Sequence, residues 1–480
     1  MSLSLRKSLL VSFSQSYVQM GLLFLSSLFI ARLLTPAELG VFSVAMVLIT
    51  IANTVRDFGV VNYLVQEPDL TDARIRAART LAFLTAWGIA LVIALIAHPA
   101  AVFYREPGVE RVMHILCLNF LLLPFGSVTM AIMRRRMQFQ RIAAIQVTST
   151  TAHLALAVFL AWSGFSYTSL AWGAVAGNLL RLILILASGP RDLPSRLGLS
   201  GLRRVFSFGA FSGSASLLQE VARGLPDVVL GRLMGMAPVA YFSRATGLID
   251  LFNRLIVQAV GYVALPHFSA RLREGKEMTQ HFLLAVTHLT GLGWPFFVFL
   301  SYSAAPVVLL LYGNQWGASV PLVSILCLAE MLLTPFCLLE QLLISHGRAD
   351  HEMGRNVMVA GVRLAPLLLL PPYGLEAVAL GLAAANAVLF AAFYLLLRRH
   401  LPMAFSRFLR AMLPSAGVAL LVAGALEAVR LAAPVESVGL IGVLALNSTA
   451  ALLAFLLGNA LLRHPLHEEL RGLLRRFCKH

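Results

Sequence analysis

Several charged side chains fall inside stretches of sequence that are otherwise apolar, and they have the chemistry to bind an ion. Glu220, Arg223 and Asp227 are spaced at i, i+3 and i+7, which places them on one face of a helix. Asp250 and Arg254 follow at i and i+4 in the next apolar stretch. Because the planar guanidinium group bonds phosphate and carboxylate oxygens in pairs, Arg223 and Arg254 are candidates to bind an anionic ligand.

The same spacing allows a purely structural interpretation. Each arginine has an acid within about one turn of helix, so the pairs can neutralise each other and hold helices together without a ligand. If a ligand does bind, the neighbouring acid can hold the arginine after the ligand leaves, or carry a coupling proton. Arg56 and Asp57 form a comparable pair earlier in the chain, and the sequence leaves both interpretations open for all of these pairs.

Further polar and charged residues in the apolar stretches extend the set of candidates. Gln15 and Gln19 share a polar helix face that is unsuited to lipid. Arg32 and Arg232 lie near the outer ends of their stretches, where they either snorkel to headgroups or draw an anion outward. The candidate ligand-binding residues are therefore Arg223, Arg254, Arg56, Arg32, Arg232, Arg244, Gln15 and Gln19, and the candidate ion-coupling residues are Asp57, Glu220, Asp227 and Asp250.

Other charged residues also lie inside apolar stretches. Glu330 and Glu340 lie ten residues apart near one helix face and are weaker candidates for proton sites. Arg181 and Arg363 are interpreted as structural. Pro226, beside Arg223 and Asp227, predicts a kink that either is static or serves as a hinge.

The composition of the whole chain shows what kind of protein must position these residues. Of its 480 residues 59% are hydrophobic and only 12% are charged, and the mean hydropathy is +0.82. Ordinary soluble domains carry about 25% charged residues, so a soluble enzyme, a disordered protein and a secreted disulfide scaffold are excluded. The formal charge of +16 is attributed to basic cytoplasmic loops rather than to nucleic-acid binding, and the four scattered cysteines predict neither a disulfide framework nor a metal site.

Apolar windows of about 20 residues, the length that crosses a bilayer as a helix, predict fourteen spans. They cover residues 10–33, 40–65, 80–103, 112–133, 142–162, 168–188, 206–233, 239–266, 281–303, 318–344, 355–371, 375–397, 411–430 and 437–462. The first span is expected to remain in the protein rather than be cleaved as a signal. Lysine and arginine collect in alternate loops, and the outer loops hold only Arg105 and Arg111, so both termini are predicted to be cytoplasmic.

An internal repeat organises these spans. Residues 31–43 align with residues 231–243 at an offset of 200, and each segment joins the first span of a block to the second. Since each block holds six spans, the repeats enter from the same side and are parallel. We therefore predict an all-α polytopic protein with a six-helix lobe at 1–200, a second at 201–397, and two further helices with a basic amphipathic tail at 398–480. Two parallel bundles are typical of alternating-access transporters.

At these positions the chain resembles a known family, the polysaccharide-repeat flippases of the Wzx type, and most closely the branch of colanic-acid exporters. The residues that carry the resemblance are Ala31, Arg32, Leu33, Leu34, Thr35, Pro36, Gly40, Asp57, Phe58 and Gly59; Met133 to Phe139 with Arg141; Asp227, Gly231 to Gly235 and Tyr241 to Ala245; and Leu310 to Gly313 with Trp316 and Pro321. The resemblance extends over the first twelve predicted spans.

The resemblance implies both a fold and a substrate class. The superfamily also holds multidrug extrusion (MATE) antiporters and the lipid II flippase, and shares a V-shaped, two-lobed bundle. Members of the family move undecaprenyl-pyrophosphate-linked oligosaccharides across the bacterial inner membrane, so Arg223 or Arg254 would meet the pyrophosphate. The resemblance implies no cofactor beyond a coupling H⁺ or Na⁺. It implies membrane lipids, and further a polysaccharide polymerase and chain-length machinery, as partners.

Other classes remain as alternatives. A multidrug or cation antiporter on the same fold is the main one, but its site should favour acids, whereas the first two spans of each block hold more arginines than acids. A flippase for another lipid-linked precursor, such as lipid II or a teichoic-acid unit, is also open. An enzyme is not expected, because the sequence contains no H-E-x-x-H, G-x-S-x-G or P-loop motif. A purely structural protein would not explain the intramembrane charges.

Overall fold

The computed structural model describes residues 3–57, 60–67, 69–190, 194, 196–198, 202–432 and 435–477, and the regular elements in these ranges are helices. Packing divides the chain into two compact units, Met1–Ala240 and Tyr241–His480. The all-α class predicted from composition is confirmed. The predicted lobe boundaries at 200 and 397 stay a prediction, because they derive from the sequence repeat rather than from packing.

The first unit holds eight helices and the start of a ninth. They are α1 Leu3–Leu33, α2 Pro36–Asp57, α3 Val60–Gln66, α4 Asp72–Tyr104, α5 Pro107–Arg135, α6 Phe139–Trp162, α7 Thr168–Ser188, α8 Leu202–Leu233 and α9 Met236–Phe252.

The second unit continues from α9 through a π-helical turn, Asn253–Val257, into ten further helices. They are α10 Gln258–Arg273, α11 Thr279–Tyr302, α12 Ala304–Tyr312, α13 Ser319–Leu333, α14 Leu339–Ser345, α15 Ala349–Leu369, α16 Leu375–His400, α17 Phe405–Ala432, α18 Val435–Leu461 and α19 Leu466–Phe477.

Among the described residues, 11 helical segments are long and apolar enough to cross a membrane. Three more helices, α1, α8 and α15, lie where the remaining predicted spans were placed and have 31, 32 and 21 residues. Because α8 and α15 carry several charges, apolarity alone does not identify them as spans. The structure is therefore consistent with fourteen spans.

Capping interactions explain the Thr-Pro-Ala-Glu segment at the start of α2. The Thr35 backbone N–H donates to Glu38 Oε2 at 2.7 Å, and the Glu38 N–H donates to Thr35 Oγ1 at 3.3 Å. This reciprocal capping box satisfies N–H groups that the first turn of a helix leaves without partners, and Pro36 fits the first helical position. The Ser166 hydroxyl donates to the second oxygen of Glu38 and ties the loop before α7 to this helix start.

The Arg-Arg-Arg segment at the end of α5 caps another helix. Arg135 Nη1 donates to the carbonyl oxygens of Leu64, at 3.1 Å, and Glu67, at 2.5 Å, at the end of α3. A cation at a helix C-terminus satisfies carbonyls without intrahelical partners and opposes the negative end of the helix dipole. Arg74 from α4 pairs with the Glu67 carboxylate at 2.9 Å, which fixes the same corner from the other side.

Glycines allow α2 to pack closely against α8 and the start of α9 within the first unit. A Cβ atom on Gly40 would lie 1.9 Å from the Met236 carbonyl oxygen. On α8, a Cβ on Gly231 would lie 2.9 Å from Val44 Cγ2, and one on Gly224 would lie 2.4 Å from Val47 Cγ1. Small residues let helix backbones approach within the bilayer, where dispersion contacts replace the hydrophobic effect between helices.

The substitution Gly40→Ala should destabilise the protein although alanine is the better helix former. The added methyl group must displace a backbone carbonyl, and such overpacking costs about 1–3 kcal/mol. Gly88→Ala, on α4, is a matched control because nothing lies within 4 Å of its Cβ position. Thermal unfolding of detergent-purified variants should show a lower Tm for Gly40→Ala and an unchanged or higher Tm for Gly88→Ala; equal values would contradict the close approach.

The helix that contains α13 and α14 is interrupted by a 3₁₀ turn at Thr334–Phe336. Pro335 has no N–H group, so the carbonyl oxygen of Met331, four residues earlier, loses its helical partner. Trp294 on α11 replaces that partner by donating its indole N–H to Met331 O at 2.8 Å. At the end of the turn, the Phe336 ring packs against the ring of Phe408, with centroids 5.4 Å apart, and so anchors the segment before α14 in the core of the second unit.

Trp294→Phe should therefore lower stability by about 1–3 kcal/mol, the cost of leaving a buried carbonyl without a donor. In a Pro335→Ala background the alanine N–H can bond Met331 O, so the same Trp294→Phe change should cost less. A double-mutant cycle on Tm values measures this coupling. Trp162→Phe, at an exposed indole, controls for loss of the ring; additive effects of Trp294→Phe and Pro335→Ala would disprove the compensation.

A buried histidine fixes the start of α19 to the second unit. The Leu466 N–H donates to His464 Nδ1 at 3.2 Å, so Nε2 carries the ring hydrogen and donates to Ser415 Oγ on α17 at 3.0 Å. Thr290 on α11 also bonds Ser415, at 2.9 Å. Burial, together with the nearby His288, lowers the pKa of His464 to about 4, so the ring is neutral at physiological pH.

Candidate functional site

Arg223 is an exposed cation on α8, held by a single contact. Its Nη1 atom lies 3.3 Å from Glu220 Oε1, and the two side chains are 69% and 24% exposed. The i, i+3 pairing predicted from sequence is present, and it joins one guanidinium nitrogen to one carboxylate oxygen. The planar face and remaining donors of the guanidinium are therefore available to another group. Asp227, one turn further on, is half-buried.

Arg254 lies on the π-helical turn between α9 and α10. This turn, Asn253–Val257, widens the backbone from an i→i+4 to an i→i+5 bonding pattern, and the Gln258 N–H bonds Asn253 O. Such turns are rare and frequently mark functional sites. Arg254 Nη2 and Asp250 Oδ2 are 4.0 Å apart, and their side chains are 57% and 52% exposed. Arg254 thus presents a weakly held positive charge on a segment of membrane-spanning length.

Two of the three candidate arginines near the helix ends lie against aromatic rings. Arg56, at the end of α2, has its guanidinium carbon 5.8 Å from the centroid of Phe120 on α5. Arg232, at the end of α8, lies 5.3 Å from the centroid of Phe103. Arg32, at the end of α1, is exposed. Asp57 is the last residue of α2, but its side chain lies outside the described residues, as do Phe58 and Gly59.

Arg244 has a different environment from Arg223 and Arg254. Its guanidinium carbon lies 5.3 Å from the ring centroids of both Tyr312 and Trp316, and Trp316 is fully buried. Ser319 Oγ donates to the Tyr241 backbone oxygen at 3.0 Å and closes this cluster. Within the second unit, Arg244 therefore packs between rings that belong to the Tyr-Gly and Trp positions of the sequence resemblance.

The predicted glutamines on α1 meet α6. Gln15 donates to the side-chain oxygen of Gln146, and Gln19 Nε2 donates to Thr150 Oγ1 at 3.4 Å. Sequence analysis did not include Gln146 and Thr150, although the polar run Gln-Val-Thr-Ser-Thr-Thr at 146–151 was a visible signal. All four side chains are half-buried, so this amide and hydroxyl row is available for further hydrogen bonds.

A second interaction that sequence analysis missed links three helices of the second unit. Arg363 Nη2 lies 3.2 Å from Glu330 Oε1 and donates to Asn386 Oδ1 at 3.0 Å. Arg363 is 33 positions from Glu330 and 23 positions from Asn386 in the chain. These residues meet only because α13, α15 and α16 pack together. Glu330 was a weak candidate and Arg363 was interpreted as structural, while Asn386 gave no sequence signal beyond its polarity.

The fold defines a class of protein: an all-α, multi-pass membrane protein whose fold is similar to those of a solved flippase and a solved multidrug transporter. The structure is similar to that of lipid II flippase MurJ in an inward closed conformation, with a TM-score of 0.77 and 12% identity, over 94% of this chain and 98% of MurJ. It is also similar to an inward-facing multidrug resistance MATE family transporter, with a TM-score of 0.59 and 14% identity, over 80% of this chain and 94% of that one.

The chain belongs to the polysaccharide biosynthesis protein family, whose model matches residues 29–321. It is 27% identical to the succinoglycan biosynthesis transport protein ExoT of Rhizobium meliloti over 318 residues, 66% of this chain and 64% of ExoT. It is 21% identical to the lipopolysaccharide biosynthesis protein WzxC of Escherichia coli over 334 residues, 68% of this chain and 67% of WzxC. The predicted family is confirmed.

The two kinds of arginine environment should separate in stability measurements. Arg244→Ala removes contacts with two buried rings, each worth about 0.5–2 kcal/mol, and should lower the Tm clearly. Arg254→Ala removes an exposed side chain and should leave the Tm nearly unchanged. Arg244→Lys keeps the charge but not the planar group, so its Tm should fall between those of wild type and Arg244→Ala. Equal Tm values for Arg244→Ala and Arg254→Ala would contradict the packing role of Arg244.

Proposed function

We propose that this protein is a flippase that carries undecaprenyl-pyrophosphate-linked oligosaccharide units from the inner to the outer leaflet of a bacterial inner membrane. Membership of the polysaccharide biosynthesis family supports a lipid-linked precursor of exopolysaccharide, capsule or O-antigen as substrate. The bias of lysine and arginine towards alternate loops supports cytoplasmic termini. Transport is by alternating access, coupled to an ion gradient.

The observation that carries the proposal is the weak pairing of Arg223 and Arg254. A charged side chain exposed to lipid costs a few kcal/mol or more, so such residues face water or a ligand and mark transport pathways. Each of these arginines is more than half exposed, and each meets its acid through one contact, at 3.3 or 4.0 Å. An anionic diphosphate group would supply further acceptor oxygens for the guanidinium N–H groups that these acids do not bond.

The neighbouring residues have complementary roles in the proposal. Glu220 and Asp250 hold the arginines when no substrate is bound, which avoids an unpaired charge in the membrane interior. The amide and hydroxyl row on α1 and α6 is suited to sugar hydroxyl groups, because neutral donors and acceptors bind them without a charge mismatch. A cation antiporter would require acids to be the more exposed groups, whereas Arg223 is far more exposed than Glu220 and Arg254 is as exposed as Asp250.

Arg223→Ala and Arg254→Ala should each abolish polymer export in a deletion strain while the variant protein still reaches the membrane. Arg223→Lys and Arg254→Lys should restore export only partly, because lysine keeps the charge but not the planar pair of donors. The readouts are surface polysaccharide and the membrane side on which undecaprenyl-linked oligosaccharides accumulate. Cytoplasmic-side accumulation is expected for the alanine variants.

Arg430→Ala provides a matched control for this experiment. Arg430 is also 69% exposed and pairs with Glu427 at i, i+3, but it lies at the end of α17. Its removal should leave export unchanged. Normal export by both Arg223→Ala and Arg254→Ala at wild-type protein levels would exclude the diphosphate role. An unchanged lipid pool in the deletion strain, with altered resistance to cationic drugs, would favour the antiporter instead.

A further inference from the structure

A carboxylate and an arginine meet beside the interruption between α13 and α14. Glu330 lies one turn before the 3₁₀ segment Thr334–Phe336, and the Thr334 hydroxyl donates to the Glu330 backbone oxygen at 2.9 Å. Interrupted helices within membrane bundles commonly form the sites of coupling ions, because they bring polar groups and mobile backbone together. The Glu330–Arg363 pair, at 3.2 Å, places two opposite charges at this point.

This pair is less completely bonded than a neighbouring one. Arg355, two turns earlier on α15, forms a two-pronged pair with Glu352 at 2.8 and 2.6 Å. Arg363 instead uses Nη2 for both Glu330 and Asn386, and its buried Nε atom has no hydrogen-bond partner. A structural cross-link gains most when all its donors are satisfied, so the Glu330–Arg363 pair is better suited to a change of partners.

The surroundings of Glu330 leave Arg363 as the charged group that bonds it. Asn386 on α16 is neutral, and its Nδ2 donates to the Ala329 backbone oxygen at 3.1 Å and to Glu330 Oε1 at 3.4 Å. The side of α11 that meets this turn presents the neutral Trp294. Cys327 on α13 and Cys337 after the 3₁₀ turn are free cysteines in the same segment. Arg355, the next cation on α15, is held by Glu352 and is 3.9 Å from Glu340.

We propose that Glu330 is the carboxylate that binds the coupling proton, with Arg363 and Asn386 as its positioning residues. This inference rests on the proposed function, since coupling presupposes transport. The side chains of Arg363 and Glu330 are 35% and 31% exposed, so a proton can arrive from water. The hydrogen bonds described above converge on Oε1, and the proton adds to Oε2.

Protonation changes the balance of charge at the interruption. A proton taken from water turns the Glu330 carboxylate into a carboxylic acid, and the pair changes from a net charge of zero to +1. Arg363 then loses its counter-charge inside the membrane, and this loss favours a conformation in which Arg363 reaches water or another anion. Because Arg363 is on α15 and Glu330 is on α13, binding of the proton changes the relative stability of the arrangements in which these two helices pack. A sodium ion at Oε1 would have to displace Arg363, so the site favours a proton.

Infrared difference spectroscopy on the purified full-length protein in lipid vesicles tests proton binding without any transport substrate. Acidification should produce a carboxylic C=O stretch that is present in wild type and missing from Glu330→Gln. Glu427→Gln is the matched control, since it removes an exposed acid that also pairs with an arginine. Identical difference spectra for wild type and Glu330→Gln would overturn the proposal, as would a Glu330-dependent change produced by sodium at constant pH.

Export in the deletion strain tests coupling. Coupling free energies of ordinary size correspond to about 5- to 150-fold effects, so Glu330→Gln should reduce export about tenfold or more and make the remainder insensitive to external pH. Glu330→Asp, which keeps a titratable group, should recover pH sensitivity, and Arg363→Gln should change the pH profile as well as the rate.

If wild type restores export and Glu330→Gln matches it in rate and pH profile, the proton site is wrong while the proposed function stands. If wild type itself restores no export, the proposed function fails, and the spectra still test proton binding.

Discussion

The hydrocarbon interior of a membrane supplies no hydrogen bonds, and this constraint limits where a helix can be interrupted. Every break in a helix exposes backbone groups that only the protein can satisfy. The carbonyl oxygen that Pro335 leaves unpaired is therefore met by the indole of Trp294 on a neighbouring helix. The indole of Trp294 thus allows a kink that would otherwise be costly. The guanidinium group of Arg135 satisfies carbonyl oxygens in a comparable way at the end of α3, which lies at the end of the predicted span 40–65.

The same constraint divides the arginines into two groups. Arg244, between two aromatic rings, and Arg355, bonded to both oxygens of Glu352, have their charge stabilised within the protein. Arg223 and Arg254 are mostly exposed and have one loose acidic contact each. Since the cost of an unsatisfied charge in a membrane is large, the second group is the one on which the proposed anion binding rests. Arg363 is intermediate between these two groups, because both of its hydrogen bonds use Nη2.

Sequence patterns predicted the local properties of this protein well. Apolar length predicted the helices, and the i, i+3 and i, i+4 spacing predicted the Glu220–Arg223 and Asp250–Arg254 pairs that the structure contains. The widened turn around Arg254 was not predictable, because a π-helical turn has no spacing signature of its own. The Glu330–Arg363 pair was missed because its partners are brought together by tertiary packing. Sequence could identify each charge, but it could not show which charges are already satisfied.

The predicted internal repeat allows buried and exposed positions to be compared. At the offset of 200, Ala45 and Ala245 match, as do Ile49 and Ile249, and all four residues are buried. The exposed positions differ, because the counterparts of Asp250 and Arg254 are Thr50 and Thr54, and Thr54 bonds only its own helix through the Thr50 carbonyl.

On α8 the divergence is equally clear, since the counterpart of Arg223 is Leu23. In the proposed function, the second predicted repeat supplies Arg223 and Arg254 for the diphosphate, and the first supplies the neutral groups of Gln15 and Gln19 beside the candidate cations Arg32 and Arg56. This asymmetry suits a substrate whose diphosphate and sugar portions differ in charge.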